Sequence, residues 1–148
     1  MKNKRCDKKM SKELIFISRH YPNNGQIALA KKLGYEKITQ VDIKFSQNPI
    51  KDLENAEITD KTISIVAPSY VTNKLLNAGY ILIEFVNSPI KRKKMVFCCE
   101  GAYKYKLKCV PKGNQWEAFI EQEYIECPIS IEEQVESSLV PEKTNGWT

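Results

Sequence analysis

The chain reads as an α/β domain: a mostly parallel sheet with helices on its faces, followed by a C-terminal antiparallel β extension. Three observations predict this. Three short apolar runs each spill into a polar, turn-forming cluster. Leu14-Ile15-Phe16-Ile17 runs into Ser18-Arg19-His20-Tyr21-Pro22-Asn23-Asn24-Gly25, Ile63-Ser64-Ile65-Val66-Ala67 runs into Pro68-Ser69-Tyr70, and Tyr80 to Val86 runs into Asn87-Ser88-Pro89. Helical patterns separate the runs, as in a buried parallel sheet. After Met95 the pattern changes to strand-like alternation. Ligands of open α/β sheets sit beyond the carboxyl ends of the strands, so the three clusters are expected on one edge, and that edge is the expected site.

The first strand, about Glu13 to Ser18, leads through Tyr21 to Gly25 into a helix carrying Ile27, Ala28, Ala30 and Leu33, which Gly34 stops. A second strand follows at about Lys37 to Phe45, with Ile38, Val41 and Ile43 as apolar members. Asn48-Pro49 opens a short helix over Ile50 to Asn55, with proline in the first turn. The third strand is Thr62 to Ala67. Pro68-Ser69 begins the next helix, with Ser69 as its N-cap, Val71, Leu75 and Ala78 at helical spacing, and Gly79 at its end. The fourth strand is Tyr80 to Val86, with Glu84 as its polar exception. Together these elements read β-α-β-α-β-α-β, a Rossmann-like sheet with right-handed crossovers. Beyond it, Met95 to Cys99 and Tyr103 to Val110 flank Glu100-Gly101-Ala102 in the pattern of a hairpin, and Pro111 to Asn114 forms a second turn. Trp116 to Cys127 reads as a long antiparallel strand with Trp116, Ala118, Ile120, Gln122 and Tyr124 on one parity, and a short helix follows at Ile131 to Ser138. The domain plan is a basic, disordered extension over 1–10, a single α/β domain over 11–140 (Rossmann-like part 13–90, β-rich part 95–127) and a flexible tail over 141–148.

Composition bounds the class. The 148 residues, 42% hydrophobic and 28% charged, suit one soluble globular domain. No apolar run approaches the ~20 residues that span a bilayer, so no membrane partner is expected. The basic N-terminus lacks the apolar stretch of a secretory signal, which makes a cytoplasmic location the default. The net charge of +5 is concentrated in the first twelve residues and in Lys91-Arg92-Lys93-Lys94. Such clusters attract phosphates or simply solvate the surface. Met10 is a second candidate start, which would make residues 1–9 an upstream extension. Cys6, Cys98, Cys99, Cys109 and Cys127 show no CxxC spacing and no nearby histidine, so they read as reduced thiols with no metal and no disulfide.

The strand ends hold the candidate chemistry. Arg19 can fork onto phosphate oxygens, His20 can exchange a proton near neutral pH, and the following helix offers free N–H groups. The stretch resembles the Arg-His-Gly strand end of histidine phosphatases, but Tyr21 stands where glycine is needed and the chain has no second histidine. Ser69 caps a helix and can also bind a phosphate or ribose. Tyr70 can stack on a base. Asn87 and Ser88 add amide and hydroxyl groups just before the basic Lys91 to Lys94 block. No GxGxxG, Walker A or GxSxG pattern is present, so no cofactor is expected. Asp42 and Glu84 lie near strand ends and read as structural partners of lysines.

The strand ending Ile17-Ser18-Arg19-His20, the proline soon after, the amphipathic helix and the Thr62 to Ala67 strand with its Pro68-Ser69 cap resemble the small stand-alone Rossmann-like, CARF-related proteins of type III CRISPR systems, over residues 13 to 90. The resemblance implies an antiviral-defence protein that binds or cleaves a cyclic oligoadenylate. It places Arg19 and His20 near the phosphodiesters as the catalytic pair of a metal-independent ring nuclease. Ser18, Asn24, Pro68, Ser69, Tyr70, Asn87, Ser88, Lys91 and Arg92 are the expected ligand-binding residues. In such a reaction the substrate's own 2′-hydroxyl is the nucleophile, so the protein needs only to orient it and stabilise charge on phosphate. A ligand with rotational symmetry favours a homodimer. Cleavage and mere retention both stay open.

Two further readings stand beside this one. Lys91 to Lys94 with Tyr103, Lys104, Tyr105, Lys106 and Lys108 interleave basic and aromatic residues, which suits an RNA-binding or partner-binding module. Alternation on a strand would instead put the tyrosines on a core face and the lysines in water. A small phosphohydrolase or glycosyl-nucleotide enzyme could use the same strand ends.

Overall fold

The structure, a computed structural model, describes residues 12–91 and 95–136. The expected extension over 1–10, the tail over 141–148 and Arg92 to Lys94 lie outside the described residues. Six strands form one sheet in the order β2-β1-β3-β4-β5-β6. They are β1 (Glu13–Ile17), β2 (Lys37–Val41), β3 (Thr62–Ile65), β4 (Ile81–Lys91), β5 (Met95–Lys112) and β6 (Gln115–Glu126). Strands β1 to β4 are parallel, whereas β4, β5 and β6 are antiparallel. The mixed α/β architecture and the change from parallel to antiparallel pairing match the expectation.

Helix boundaries follow local chemistry. In α1 (Asn24–Lys32), Asn23 caps the helix by accepting from Gln26 N–H, while the Gln26 side chain accepts the Asn23 N–H at 2.9 Å. This reciprocal box satisfies two donors that a helix start otherwise leaves orphaned. Lys31 and Lys32 in the last turn complement the negative end of the helix dipole. Gly34 and Gly79, at φ +103° and +94°, take the left-handed turns that end α1 and α3. In α2 (Pro49–Asn55), Asn48 is the N-cap and Pro49 occupies the first turn. The start of α3 (Ser69–Asn77) differs from expectation. Pro68 is the flanking residue, with extended backbone and no side-chain cap, so Ser69 is already inside the helix and is not its N-cap. A short α4 spans 131–136.

Both sheet faces carry a core, which is why the parallel strands read as near-continuous apolar runs. On one face Ile17, Ile63, Ile65 and Leu82 pack with Leu53 of α2 and Val71, Leu75 and Leu76 of α3. On the other, Leu14, Phe16, Ile83, Phe85 and Ala102 pack with Leu29 and Ala30 of α1. Leu29, Leu53 and Leu75 are fully buried, and each such side chain contributes about 1.5–3 kcal/mol. Phe16 and Phe85 meet edge-to-face at 5.8 Å, the geometry that aromatic quadrupoles favour.

Three further expectations are corrected. The fourth strand does not end at Val86; β4 runs on through Asn87, Ser88 and Pro89 to Lys91. Pro89 is tolerated there within a two-stranded hairpin arm rather than at the centre of the sheet. The hairpin expected at Glu100-Gly101-Ala102 does not exist, because β5 is one strand of 18 residues. What resembles a turn is a bulge: Val86 pairs with Gly101 and Asn87 with Cys99, leaving Glu100 as the extra residue. Among the described residues Glu84 has no lysine partner; it accepts the Tyr105 hydroxyl at 2.9 Å.

Alternation along β5 and β6 is as expected. Tyr103 pairs with Tyr124 and Leu107 with Ile120 on one face, while Lys104 pairs with Glu123 and Lys106 with Glu121 on the other. Tyr105 packs at the margin of the α2–α3 core. Beyond the end of β6, Gln134 of α4 takes over the ladder: its Oε1 accepts Cys99 N–H at 2.7 Å and its Nε2 donates to Cys99 C=O at 2.8 Å.

Candidate functional site

The parallel strands β1, β2 and β3 end together, and the chain leaves β1 and β3 in a sheet whose order reverses around β1. That reversal opens a crevice between neighbouring strand ends. Here it forms a cleft of about 1250 Å³. Ser18, Arg19, His20, Tyr21, Asn23 and Asn24 line it from the β1–α1 connection, and Asp42 to Phe45 from the end of β2. Val66 to Pro68 and Tyr70 form the α3 wall. The fourth wall comes from β4 and β5 through Phe85, Asn87, Val96 and Phe97, with Gln134 behind them.

Each wall is held by specific bonds. Ser18 N–H donates to Val41 C=O at 3.0 Å, and Gln40 Nε2 donates to Ser18 C=O at 2.5 Å, tying the end of β1 to β2. Ser18 Oγ accepts the His20 N–H at 3.0 Å, which turns the backbone outward and leaves Arg19 and His20 exposed to the cleft. Asn23 Nδ2 donates to Phe97 C=O at 3.2 Å, and Gln26 Nε2 donates to Asn87 Oδ1 at 3.4 Å. The capping box of α1 is therefore also the clasp that joins α1 to the β4–β5 arm. On the far side the Asp52 carboxylate accepts Ser46 N–H at 2.7 Å, Lys74 Nζ donates to Gln47 C=O at 2.8 Å and Tyr70 donates to Ser46 C=O at 3.4 Å. The first bond fixes the 42–48 connection to α2, and the other two fix it against α3.

The cleft combines cations with bare aromatic surface. Arg19 and Lys44 are exposed cations, and Asp42 is an exposed carboxylate. Tyr21 is 83% exposed, Phe97 59% and Tyr70 46%. Apolar rings left in water around a concave, cationic site are the surface on which unpaired bases stack. Arg beside a helix start supplies forked donors and backbone N–H groups for phosphate oxygens. Among the described residues, no group of three or more His, Cys, Asp or Glu is placed to hold a metal ion.

Of the expected site residues, Ser18, Arg19, His20, Asn24, Pro68, Tyr70 and Asn87 line this one cleft. Ser69 is exposed on the first turn of α3 but does not line it, and Ser88 does not either. Lys91 ends β4, whereas Arg92 lies outside the described residues. The Asn87 carbonyl oxygen is occupied by Gln26, so its amide N–H groups are what it can offer a ligand. Sequence reasoning missed Lys44, Phe97 and Gln134. Phe97 carried a misleading signal, since a phenylalanine in the apolar run Met95 to Cys99 reads as core, whereas it is 59% exposed in the cleft. Gln134 carried none, because its role depends on where β6 stops.

Two groups outside the cleft are held in their neutral forms. Burial, then the neighbouring Cys127 thiol, pushes the Cys99 thiol up to about 12. Burial, then the hydrogen bond to Glu84, pushes the Tyr105 phenol up to about 12. Cys98, Cys99, Cys109 and Cys127 are free thiols, with Cys109 exposed. No helix among the described residues is long and apolar enough to cross a membrane. No protein-family model, curated protein or solved structure matches the chain.

Proposed function

We propose that the strand-end cleft binds a cyclic oligoadenylate and cleaves it without metal, in a Rossmann-like protein of CRISPR-type antiviral signalling. The observation that carries this reading is the meeting of Arg19, His20 and Lys44 with the exposed rings of Tyr21, Tyr70 and Phe97 in one large cleft. A mononucleotide would leave much of that volume empty, whereas several bases and phosphodiesters would use all its walls. Arg19 and Lys44 meet the phosphates, and Tyr21, Tyr70 and Phe97 take the bases. For cleavage, a ribose 2′-oxygen attacks the adjacent phosphorus while His20 takes its proton. The bond from phosphorus to the 5′-oxygen breaks, and that oxygen takes a proton from the solvent that reaches the open cleft. The products are a 2′,3′-cyclic phosphate end and a 5′-hydroxyl. Arg19 stabilises the charge that gathers on the phosphate oxygens.

The alternative, a non-catalytic nucleic-acid- or protein-binding module using the basic Lys91 to Lys94 loop and the basic strand, has less support on the strand. Lys106 and Lys108 both reach Glu121 at 3.6 Å, and Lys112 reaches Glu117 at 3.6 Å, so the lysine face of β5 is already matched by carboxylates from β6. Such exposed pairs add little stability, but they leave the face close to neutral. The deciding experiment incubates the purified protein, with EDTA present, with cyclic di-, tri-, tetra- and hexa-adenylates, and follows them by mass spectrometry and thermal shift. Linear products that disappear in His20→Ala support a ring nuclease. A thermal shift without products, lost in Arg19→Ala, supports a sponge or sensor, and neither shift nor product refutes the second-messenger reading.

A further inference from the structure

The outer half of the β5–β6 ribbon has no role in the cleft, and its chemistry is two-sided. β4 pairs with β5 only as far as Leu82 opposite Tyr105, while β5 and β6 continue together to Lys112 opposite Gln115. The seven residues from Lys106 to Lys112 therefore overhang the sheet by roughly 24 Å at ~3.4 Å per residue. The overhang leaves from the amino-end side of the parallel strands, opposite the cleft. A two-stranded ribbon bare on both faces is at best marginally stable in water.

One face of this ribbon is finished. Its Lys106–Glu121, Lys108–Glu121 and Lys112–Glu117 pairs form a charged surface around the exposed Phe119 ring. The other face is not. It presents Leu107, Cys109 and Pro111 with Ile120, Ala118 and Trp116 opposite them, and continues past Gln122 to Tyr124 beside the sheet, on the face that α2 and α3 cover elsewhere. Trp116 is 72% exposed, Ile120 48% and Tyr124 47%. These three side chains alone leave on the order of 400 Å² in water, since aromatic side chains bury ~150–250 Å² each. Buried on both copies, they give about 800 Å² in all, the scale of a weak, concentration-dependent dimer rather than of a standard stable interface.

We infer that this apolar ribbon face joins two copies of the chain, packed face to face about a two-fold axis. The charge layout selects that arrangement. Face-to-face packing buries the apolar rows of both copies and leaves every Lys–Glu pair in water. Edge-to-edge pairing of β6 with its copy would instead set Glu117, Glu121 and Glu123 against the same acidic row, with no cation in the strand to relieve it. Because the ribbon points away from the cleft, this dimer keeps the two clefts apart, unlike the homodimer expected from a ligand of rotational symmetry, so each cleft would take its own ligand. The inference stands whether or not the ligand is a nucleotide.

Sedimentation velocity on the full chain, from low micromolar to a few hundred micromolar, tests it. The wild type is expected to pass from monomer to dimer. The Trp116→Glu, Ile120→Glu double variant is expected to weaken the dimer at least about 100-fold, as loss of central aromatic and aliphatic anchors does. Phe119→Glu, on the opposite face of the same strand, is expected to leave the dissociation constant within about threefold. Exposed Cys109 lies on the apolar face opposite Ala118, so its alkylation in the wild type should slow as concentration rises. A wild type that stays monomeric, a double variant that still dimerises, or Cys109 labelling independent of concentration would each overturn the inference.

Discussion

Replacing Gln134 with leucine removes the side chain that completes β5 where β6 has ended. The carboxamide is 3% exposed, and it accepts the Cys99 N–H at 2.7 Å and donates to the Cys99 C=O at 2.8 Å. Leucine has similar bulk, so the packing of α4 against Val96 and Cys98 through Val135 need not change. What changes is that two buried main-chain groups lose their partners. Leaving a buried donor or acceptor unmade costs ~1–3 kcal/mol. The cleft borders Gln134 and gives water partial access, which places the sum near the lower half of the combined range, about 3 kcal/mol. For a domain of this size that is a fall of roughly 6–12 °C in Tm. Urea unfolding by circular dichroism reads it directly, as a lowered midpoint at an unchanged m-value. Gln134→Glu keeps the shape but buries a charge and loses the amide donors to the Cys99 and Ile129 carbonyls, and should be at least as damaging at neutral pH. A loss below about 0.5 kcal/mol in Gln134→Leu would refute the reasoning, because it would place the effect in the range of ordinary surface substitutions.

Other outcomes follow from the same geometry. Gly25→Ala would drive a methyl into the Gln134 carboxamide and to within 2.7 Å of Cys99 Cβ, and should cost about 1–3 kcal/mol as overpacking, read by the same urea titration. Stability should fall at alkaline pH. The Cys99 thiol ionises near 9.0 when unfolded but is held to about 12 when folded, so the unfolded chain binds fewer protons over that interval. The stabilisation is complete below pH 9 and is lost as pH rises toward 12. Tyr105 acts with the same sign between 10.0 and about 12. Urea midpoints measured across this range should fall less steeply in Cys99→Ala than in the wild type, and parallel slopes would contradict the assignment.

Much of the fold was legible because local chemistry and tertiary packing agree. Asn48 with Pro49 and the glycines at 34 and 79 mark helix ends by mechanisms that act within four residues, while the equally local Asn23–Gln26 box was not read from the sequence. The apolar runs of β1, β3 and β4 report burial on both faces. Where the reading failed, distant partners decide. Glu100-Gly101 looks like a turn, yet a Cβ at 101 would strike the Tyr124 ring, and the segment is a bulge in a strand held between β4 and β6. Asn87-Ser88-Pro89 looks like a strand end, but pairing with Phe97 to Cys99 carries β4 through it. The candidate site was legible as an edge rather than as a cleft. Arg19, His20 and Tyr70 were found from the polar clusters after apolar runs, while Lys44 and Phe97 reach the site only through the sheet order.

The central claim is that the ligand sits among the strand ends. Hydrogen–deuterium exchange with mass spectrometry, run with and without the cyclic adenylates, tests it most directly. The account predicts slowed exchange in residues 18–24, 42–45 and 66–70 and around 97, with the β5–β6 overhang unchanged by ligand. Protection confined to residues 105–122, or no protection by any ring, would contradict it.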